Sequence, residues 1–314
     1  MNSTHKWDII GFGAVAVDDL LFIPIFPEPD SKTEVLNRER HGGGLAGTAL
    51  VAASRLGATA AYLGVFGDDE LSQFTLNEFK KENVDTSLCQ HKENAKPLYS
   101  SIIIDQSSGK RTIFYSLEGF QPPDPSSISA DIARSCKLVF FDSFIKGLIP
   151  HIVEIAHRSQ TPVIADIESS EITQFPKALN AIDYLILNME LAGQITGKIN
   201  PAEILSALDS HERICTVITL GKSGCWYKTK DEPVYHLPAY EVEEVDTTGC
   251  GDVFHGAFAA ALVRGEPIPS AALQASAAAA MKATKPGGRS GIPSLHALIN
   301  FINQKPEISP VLVG

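Results

Sequence analysis

Short apolar runs recur along the chain at intervals that leave room for one helix each. AAYLGVF, KLVFFD, TPVIAD, YLILN and ICTVITL alternate with amphipathic or alanine-rich stretches at 46–56, 71–81, 148–158, 249–264 and 270–284. Parallel strands need a long crossover between them, and a helix is its usual form. The alternation therefore implies an α/β fold whose mostly parallel central sheet is covered by helices.

Two segments break this rhythm. Residues 20–40 carry Pro24, Pro27 and Pro29, and within 99–117 the run SSIIIDQSSGKRTIFYSL reads as a hairpin across Ser107-Ser108-Gly109. Both are assigned to a small β-lid standing off the main sheet. A length of 314 residues leaves one or two domains open. No Pro/Gly-rich linker divides the chain and no internal repeat is visible, so residues 1–314 are read as one domain.

The formal charge of −11 opposes non-specific attraction to nucleic acid or to an anionic membrane, since a polyanion binds where Lys and Arg displace its counterions. Hydrophobic residues at 44% and charged residues at 20% fit a globular chain with a large core. The apolar run after Asp8 is followed at once by Asp18-Asp19, which fits a buried first strand rather than a signal peptide. No apolar stretch reaches the roughly eighteen residues of a membrane span. Cys89, Cys136, Cys215, Cys225 and Cys250 are odd in number, scattered and without a CxxC pair, as for reduced thiols in a cytosol.

Gly11-Phe12-Gly13-Ala14-Val15-Ala16 fits the loose GxGxxG/A dinucleotide fingerprint. That fingerprint needs a helix starting at the glycines, with its N-terminus aimed at the pyrophosphate. Here the chain continues as an extended, proline-punctuated segment, and the dinucleotide reading is set aside.

The strongest chemical signal is Asp246-Thr247-Thr248-Gly249-Cys250-Gly251-Asp252-Val253-Phe254, between a β-rich segment and an alanine-rich helix. Glycines at 249 and 251 permit a turn whose N–H groups converge at a helix start, which is an anion site suited to a transferring phosphoryl group. Asp252 falls in the first helical turn, within reach of that pocket and of a hydroxyl placed before it, as a general base would. The alternative use is an acid that merely complements the helix dipole. A small thiol at Cys250 reads as a packing residue.

This motif resembles the DTTGAGD signature of the ribokinase, or PfkB, family of carbohydrate kinases, with Cys250 where the family commonly has alanine. The resemblance covers essentially the whole chain and implies a ribokinase-like three-layer sandwich with a β-lid. It also implies ATP and Mg²⁺ as cofactors, Asp252 as catalytic base and Gly249, Cys250 and Gly251 as anion hole. Gly13-Ala14-Val15-Ala16-Val17-Asp18 is similar to the family's first strand, whose closing aspartate grips sugar hydroxyls, with Asp19 the alternate. Gly42-Gly43-Gly44 resembles the family's GG motif, implying that Gly43 and Gly44 line the sugar site. Gly47 stands where many members have an asparagine that bonds the sugar.

Asn188-Met189-Glu190 takes the place of the family's NxxE, with the acid one position early. It implies a nucleotide-side role for Asn188 and a water-mediated Mg²⁺ contact for Glu190. Thr219, Gly221 and Gly224 resemble the strand and turn along the nucleotide. The loop from Lys285 to Pro293 resembles the one that closes over adenine. With carbonyls near Asp246, Thr248 and Gly287, it would surround a K⁺ ion.

The triple glycine and the PGGRSGIP run together are similar to kinases of fructose-like ketoses, and Lys32 in the lid is a candidate contact for an anionic sugar substituent. A nucleoside acceptor remains open, with Phe22, Phe26, Phe114 and Tyr115 as stacking surfaces. So does an inactive sugar-sensing module. His41 and His255 flank the proposed site without metal-ligand spacing. Family likeness also implies pairing of two copies through the lid.

Overall fold

The computed structural model describes residues 5–313. Its strands are β1 (Trp7–Phe12), β2 (Ala16–Ile23), β3 (Asn37–Gly43), β4 (Ala60–Tyr62), β5 (Val65–Phe66), β6 (Val84–Asp85), β7 (Gln90–His91), β8 (Leu98–Asp105), β9 (Arg111–Ser116), β10 (Cys136–Asp142), β11 (Val163–Asp166), β12 (Tyr184–Asn188), β13 (Cys215–Thr219), β14 (Cys225–Thr229), β15 (Val234–Leu237) and β16 (Val311–Val313). The helices are α1 (Leu45–Arg55), α2 (Glu70–Lys81), α3 (Ala130–Arg134), α4 (Ile149–Arg158), α5 (Pro176–Asn180), α6 (Met189–Thr196), α7 (Pro201–Ala207), α8 (Cys250–Val263), α9 (Ile268–Ala283) and α10 (Leu295–Gln304).

The main sheet runs β16-β15-β14-β13-β12-β11-β10-β1-β4-β6. From β13 to β6 every pair is parallel, and β14, β15 and β16 extend the β13 edge as an antiparallel flap. Strand side chains alternate between faces, and the two faces meet different helices. Ile9, Leu138, Phe140 and Val217 pack with α1, α8 and α9, whereas Ile10, Val139, Phe141 and Ile218 pack on the opposite side with α4 and α7. This is the ribokinase-like α/β architecture that the sequence implied.

The smaller sheet runs β3-β2-β8-β9. Its β8–β9 hairpin turns at 106–110, as the Ser-Ser-Gly signal predicts. After β1 the chain enters β2 directly, so no helix follows the glycine fingerprint. A Cβ on Gly13 would stand 2.3 Å from Asp142 Oδ2, and this carboxylate accepts the Ala14 and Ala46 amides at 2.7 and 3.0 Å. Gly13 therefore makes room for a carboxylate of the protein itself.

In parallel sheets the functional groups collect at the carboxyl ends of the strands. Asp142, Asp166, Asn188 and Thr219 are the last residues of β10, β11, β12 and β13, four adjacent strands, with Asp142 opposite Asp166 and Asn188 opposite Thr219.

Candidate active site

The helix that carries Asp252 begins as the motif implies. Gly249 is its N-cap in the left-handed region, φ 74°, and a Cβ there would lie 2.9 Å from the Gly288 carbonyl oxygen. The predicted trio of converging amides is a pair. The Cys250 N–H donates back to the Thr247 carbonyl at 3.1 Å, whereas the Gly249 and Gly251 amides have no partner among the described residues. Cys250 is half-buried, its Sγ faces the Ala279 carbonyl at 3.5 Å, and burial pushes its thiol up to about 11. It packs as a small side chain, and the raised pKa disfavours the thiolate.

Asp252 faces acids and one cation. Burial first, then Asp166, Glu168 and Asp142, hold its carboxyl well above the ordinary range, and the Arg289 guanidinium opposes them. Asp142 is pushed up to about 7 by burial, partly offset by the amides of Ala14, Phe144 and Ala46. Asp166 is raised by burial and by Glu168 and Asp142, and its Oδ2 has no hydrogen-bond partner. His255 packs beside this group at 5% exposure, its ring nitrogens 2.8 and 3.2 Å from the Gly251 and Ile186 carbonyls. Burial lowers its pKa, while the two carbonyls and Glu168 favour its charged form, and Nδ1 also lies 3.4 Å from Asp166 Oδ2.

Asp18 is not the close of the first strand. It is the third residue of β2 in the small sheet, opposite His41 on β3 and Ser100 on β8. A Cβ on Gly43 would lie 2.0 Å from Asp18 Oδ2, so the bare backbone is what admits the carboxylate. Burial raises its pKa, while Ser100, Arg289 and His41 pull it down. Asp19, the alternate anchor, is spent on the sheet itself. It pairs with Arg40 at 2.7 Å and Arg38 at 2.8 Å, accepts the Tyr99 hydroxyl, and is held at about 2 chiefly by Arg40.

Lys32 is not brought beside Asp18. It is exposed in the connection beyond the Phe22–Asn37 pair, four register steps from the Asp18–His41 pair, or roughly 13 Å along the strands. The cation near Asp18 is Arg289, 6% exposed, from the loop that the sequence assigned to adenine. Its Nη2 donates to the Gly43 carbonyl at 2.6 Å and its Nε to Thr48 Oγ1 at 3.3 Å. Cβ atoms on Gly42 and Gly47 would lie 2.3 and 2.5 Å from its guanidinium nitrogens. The position lacking asparagine thus leaves the space that an arginine fills from another loop.

On the other side of Gly251 lies a cavity of about 370 Å³, walled by Thr219, Gly221, Gly224, Tyr240, Thr247 and Cys250 among others. Asn188 stands at its strand end, but its Oδ1 caps α6 by accepting the Leu191 amide at 2.8 Å. Glu190 is exposed and faces Gln194 at 3.4 Å, and it is not among the charged neighbours of Asp252. Glu168, which sequence reasoning missed, is. Its only signal was an acid two positions past a strand end.

A carboxylate at a helix start, between a cavity and a second carboxylate under a small sheet, defines a class: an enzyme that activates an alcohol for group transfer. The comparisons specify it. Residues 11–295 match the pfkB family carbohydrate kinase profile, and the chain belongs to that family; it is an ATP-dependent carbohydrate kinase. It is 27% identical over 299 residues to the ribokinase of Haemophilus influenzae, covering 92% of this chain and 96% of that one. Identity to the 5-dehydro-2-deoxygluconokinase of Clostridium perfringens is 25% over 325 aligned positions, with 96% and 95% covered. The structure of Arabidopsis thaliana ribokinase complexed with ribose and ATP superposes with a TM-score of 0.80 at 18% identity, covering 94% and 98%.

Proposed function

We propose that the protein transfers the γ-phosphoryl group of ATP to a primary hydroxyl of a fructose-like sugar, with Asp252 as the base. One observation carries this reading: Asp252 stands between the cavity walled by Gly251 and Cys250 and the group formed by Asp18, Gly43 and Arg289. The nucleotide occupies the cavity and the sugar lies on Asp18 under the small sheet, which acts as a lid on the single domain. A carboxylate accepts two hydroxyl bonds at once, so Asp18 orients the sugar. Burial and the neighbouring acids raise the Asp252 pKa, which makes its carboxylate a stronger base toward a hydroxyl proton. The Gly249 and Gly251 amides meet the phosphoryl oxygens as charge develops on them.

The residues fit a magnesium ion carried with the nucleotide. Among the described residues no three acids or imidazoles form a ready metal cage. Mg²⁺ held mainly by phosphates and water needs only one or two carboxylates. Glu168 and Asp166, whose Oδ2 has no hydrogen bond and only His255 Nδ1 at 3.4 Å, are the ones this chain offers. Bound there, the ion would neutralise phosphate charge.

Asp252→Asn tests the assignment: turnover is expected to fall roughly 10²- to 10⁴-fold with sugar affinity retained. Unchanged turnover in a coupled ADP-release assay over ketoses, aldoses, sugar acids and nucleosides removes Asp252 from the mechanism. Exposed Ile113, Phe114 and Tyr115 on the edge strand β9 support pairing of two copies through the lid. The five free thiols support a reducing, cytosolic setting.

A further inference from the structure

The sequence offered carbonyls around Asp246, Thr248 and Gly287 to a potassium ion, and the chain already places a cation of its own on the first of them. Lys282, in the last turn of α9, has no exposed surface, and its Nζ donates to the Asp246 carbonyl at 2.7 Å. The Ala283 carbonyl beside it accepts the Val245 and Asp246 amides at 2.8 and 3.0 Å. The Asp246 carboxylate is occupied too. Oδ1 takes the Thr248 amide and hydroxyl and Arg111 Nη1 at 2.8, 2.7 and 3.1 Å, and Oδ2 takes the Gly287 amide at 2.8 Å. Two cations therefore already stand on one residue, and a third would meet like charge and oxygens in use.

We propose that the Lys282 ammonium serves in place of the monovalent cation, so that this kinase works without K⁺. An ammonium has the charge of K⁺ and nearly its size, and a tethered one cannot dissociate. It ties the end of α9 to the turn that presents the Gly249 and Gly251 amides, and it holds a positive charge close enough to Cys250 and Asp252 to act on both. Burial works against that charge, while Cys250, Asp246 and Asp252 favour it.

The kinetic arm of the test rests on the phosphoryl-transfer reading; the thermal arm does not. Initial rates of the full chain are compared in KCl and in tetramethylammonium chloride at equal ionic strength. For wild type they are expected to agree within about twofold, since screening is then the same. Lys282→Ala is expected to lose on the order of 10²-fold in tetramethylammonium, as when one fixed donor to developing charge is removed, and to regain most of it in K⁺ or NH₄⁺. Lys282→Met, which fills the space, is expected to stay slow in every salt. Without any substrate, K⁺ is expected to raise the melting temperature of Lys282→Ala and not that of wild type, by ligand linkage to the folded state. A wild type idle until K⁺ is added, or a Lys282→Ala protein that K⁺ neither stabilises nor reactivates, overturns the proposal. If no acceptor is phosphorylated in any salt, the kinase reading fails, and the thermal comparison still decides the role of Lys282.

Discussion

Arg289 sets the electrostatics around Asp18, the proposed sugar anchor, and nothing in a glycine-rich loop announces it. Asp18 is faced by Arg289, by His41 and Ser100 from the neighbouring strands, and by Asp19 from its own. Burial favours the protonated acid, and a protonated acid loses an acceptor for sugar hydroxyls. Removing the guanidinium lifts the Asp18 pKa further, so sugar binding in Arg289→Met is expected to begin failing at a higher pH as the pH is lowered. Its sugar KM is expected to rise about tenfold at neutral pH, the scale of one lost charge-assisted bond. The ATP KM is expected to change much less, and Arg289→Lys to restore part of the pH profile. His41→Gln serves as the control for the imidazole beside Asp18. A superimposable KM–pH profile for Arg289→Met would show that the arginine only packs. The place of Asp252 in the first turn of a helix was legible because its motif is local, whereas Asp18 lies inside β2 and not at the close of the first strand. Lys32 misled because proximity in sequence is undone by the register of a hairpin.

Among the elements, the start of α8 bears the most constraint. Alanine at Gly249 must enter the left-handed region, a cost of about 1–2 kcal/mol, and must press on the Gly288 carbonyl. Gly249→Ala is expected to melt roughly 2–4 °C lower, the shift for such a loss in a large domain, and to lose turnover as its amides move. Turnover equal to wild type would mean that the amides do not meet the phosphoryl group. Helix positions were readable from the alternation: 249–264 and 270–284 became Cys250–Val263 and Ile268–Ala283. The acid cluster was not. Asp142 and Asp166 each look like the polar stop of an apolar run, and only the lateral order of β10 and β11 makes them neighbours. Glu190 was placed by motif spacing; it is exposed on α6 beside Gln194, and it is Glu168 that stands among the charged neighbours of Asp252.

For the molecule as a whole, the small sheet is the part left unfinished. β9 is an edge strand with Ile113, Phe114 and Tyr115 at 47%, 55% and 69% exposure, a row that a solitary soluble protein would blunt with charge. Tyr115→Lys combined with Ile113→Asp is expected to turn a dimer into a monomer in sedimentation velocity runs. A wild type that sediments as a monomer at assay concentrations would rule the pairing out. No described helix is long and apolar enough to cross a membrane.

Arg111 belongs to that same strand, and it reaches across to Asp246 on the turn before α8. An outward swing of the small sheet would break this bond, which would couple the proposed lid to the turn before α8. Such coupling is reciprocal: a guest that favours the closed posture tightens its counterpart by the same factor that it gains in return. Sugar and nucleotide are therefore expected to tighten each other's binding by one common factor, which calorimetry with each alone and with both together measures.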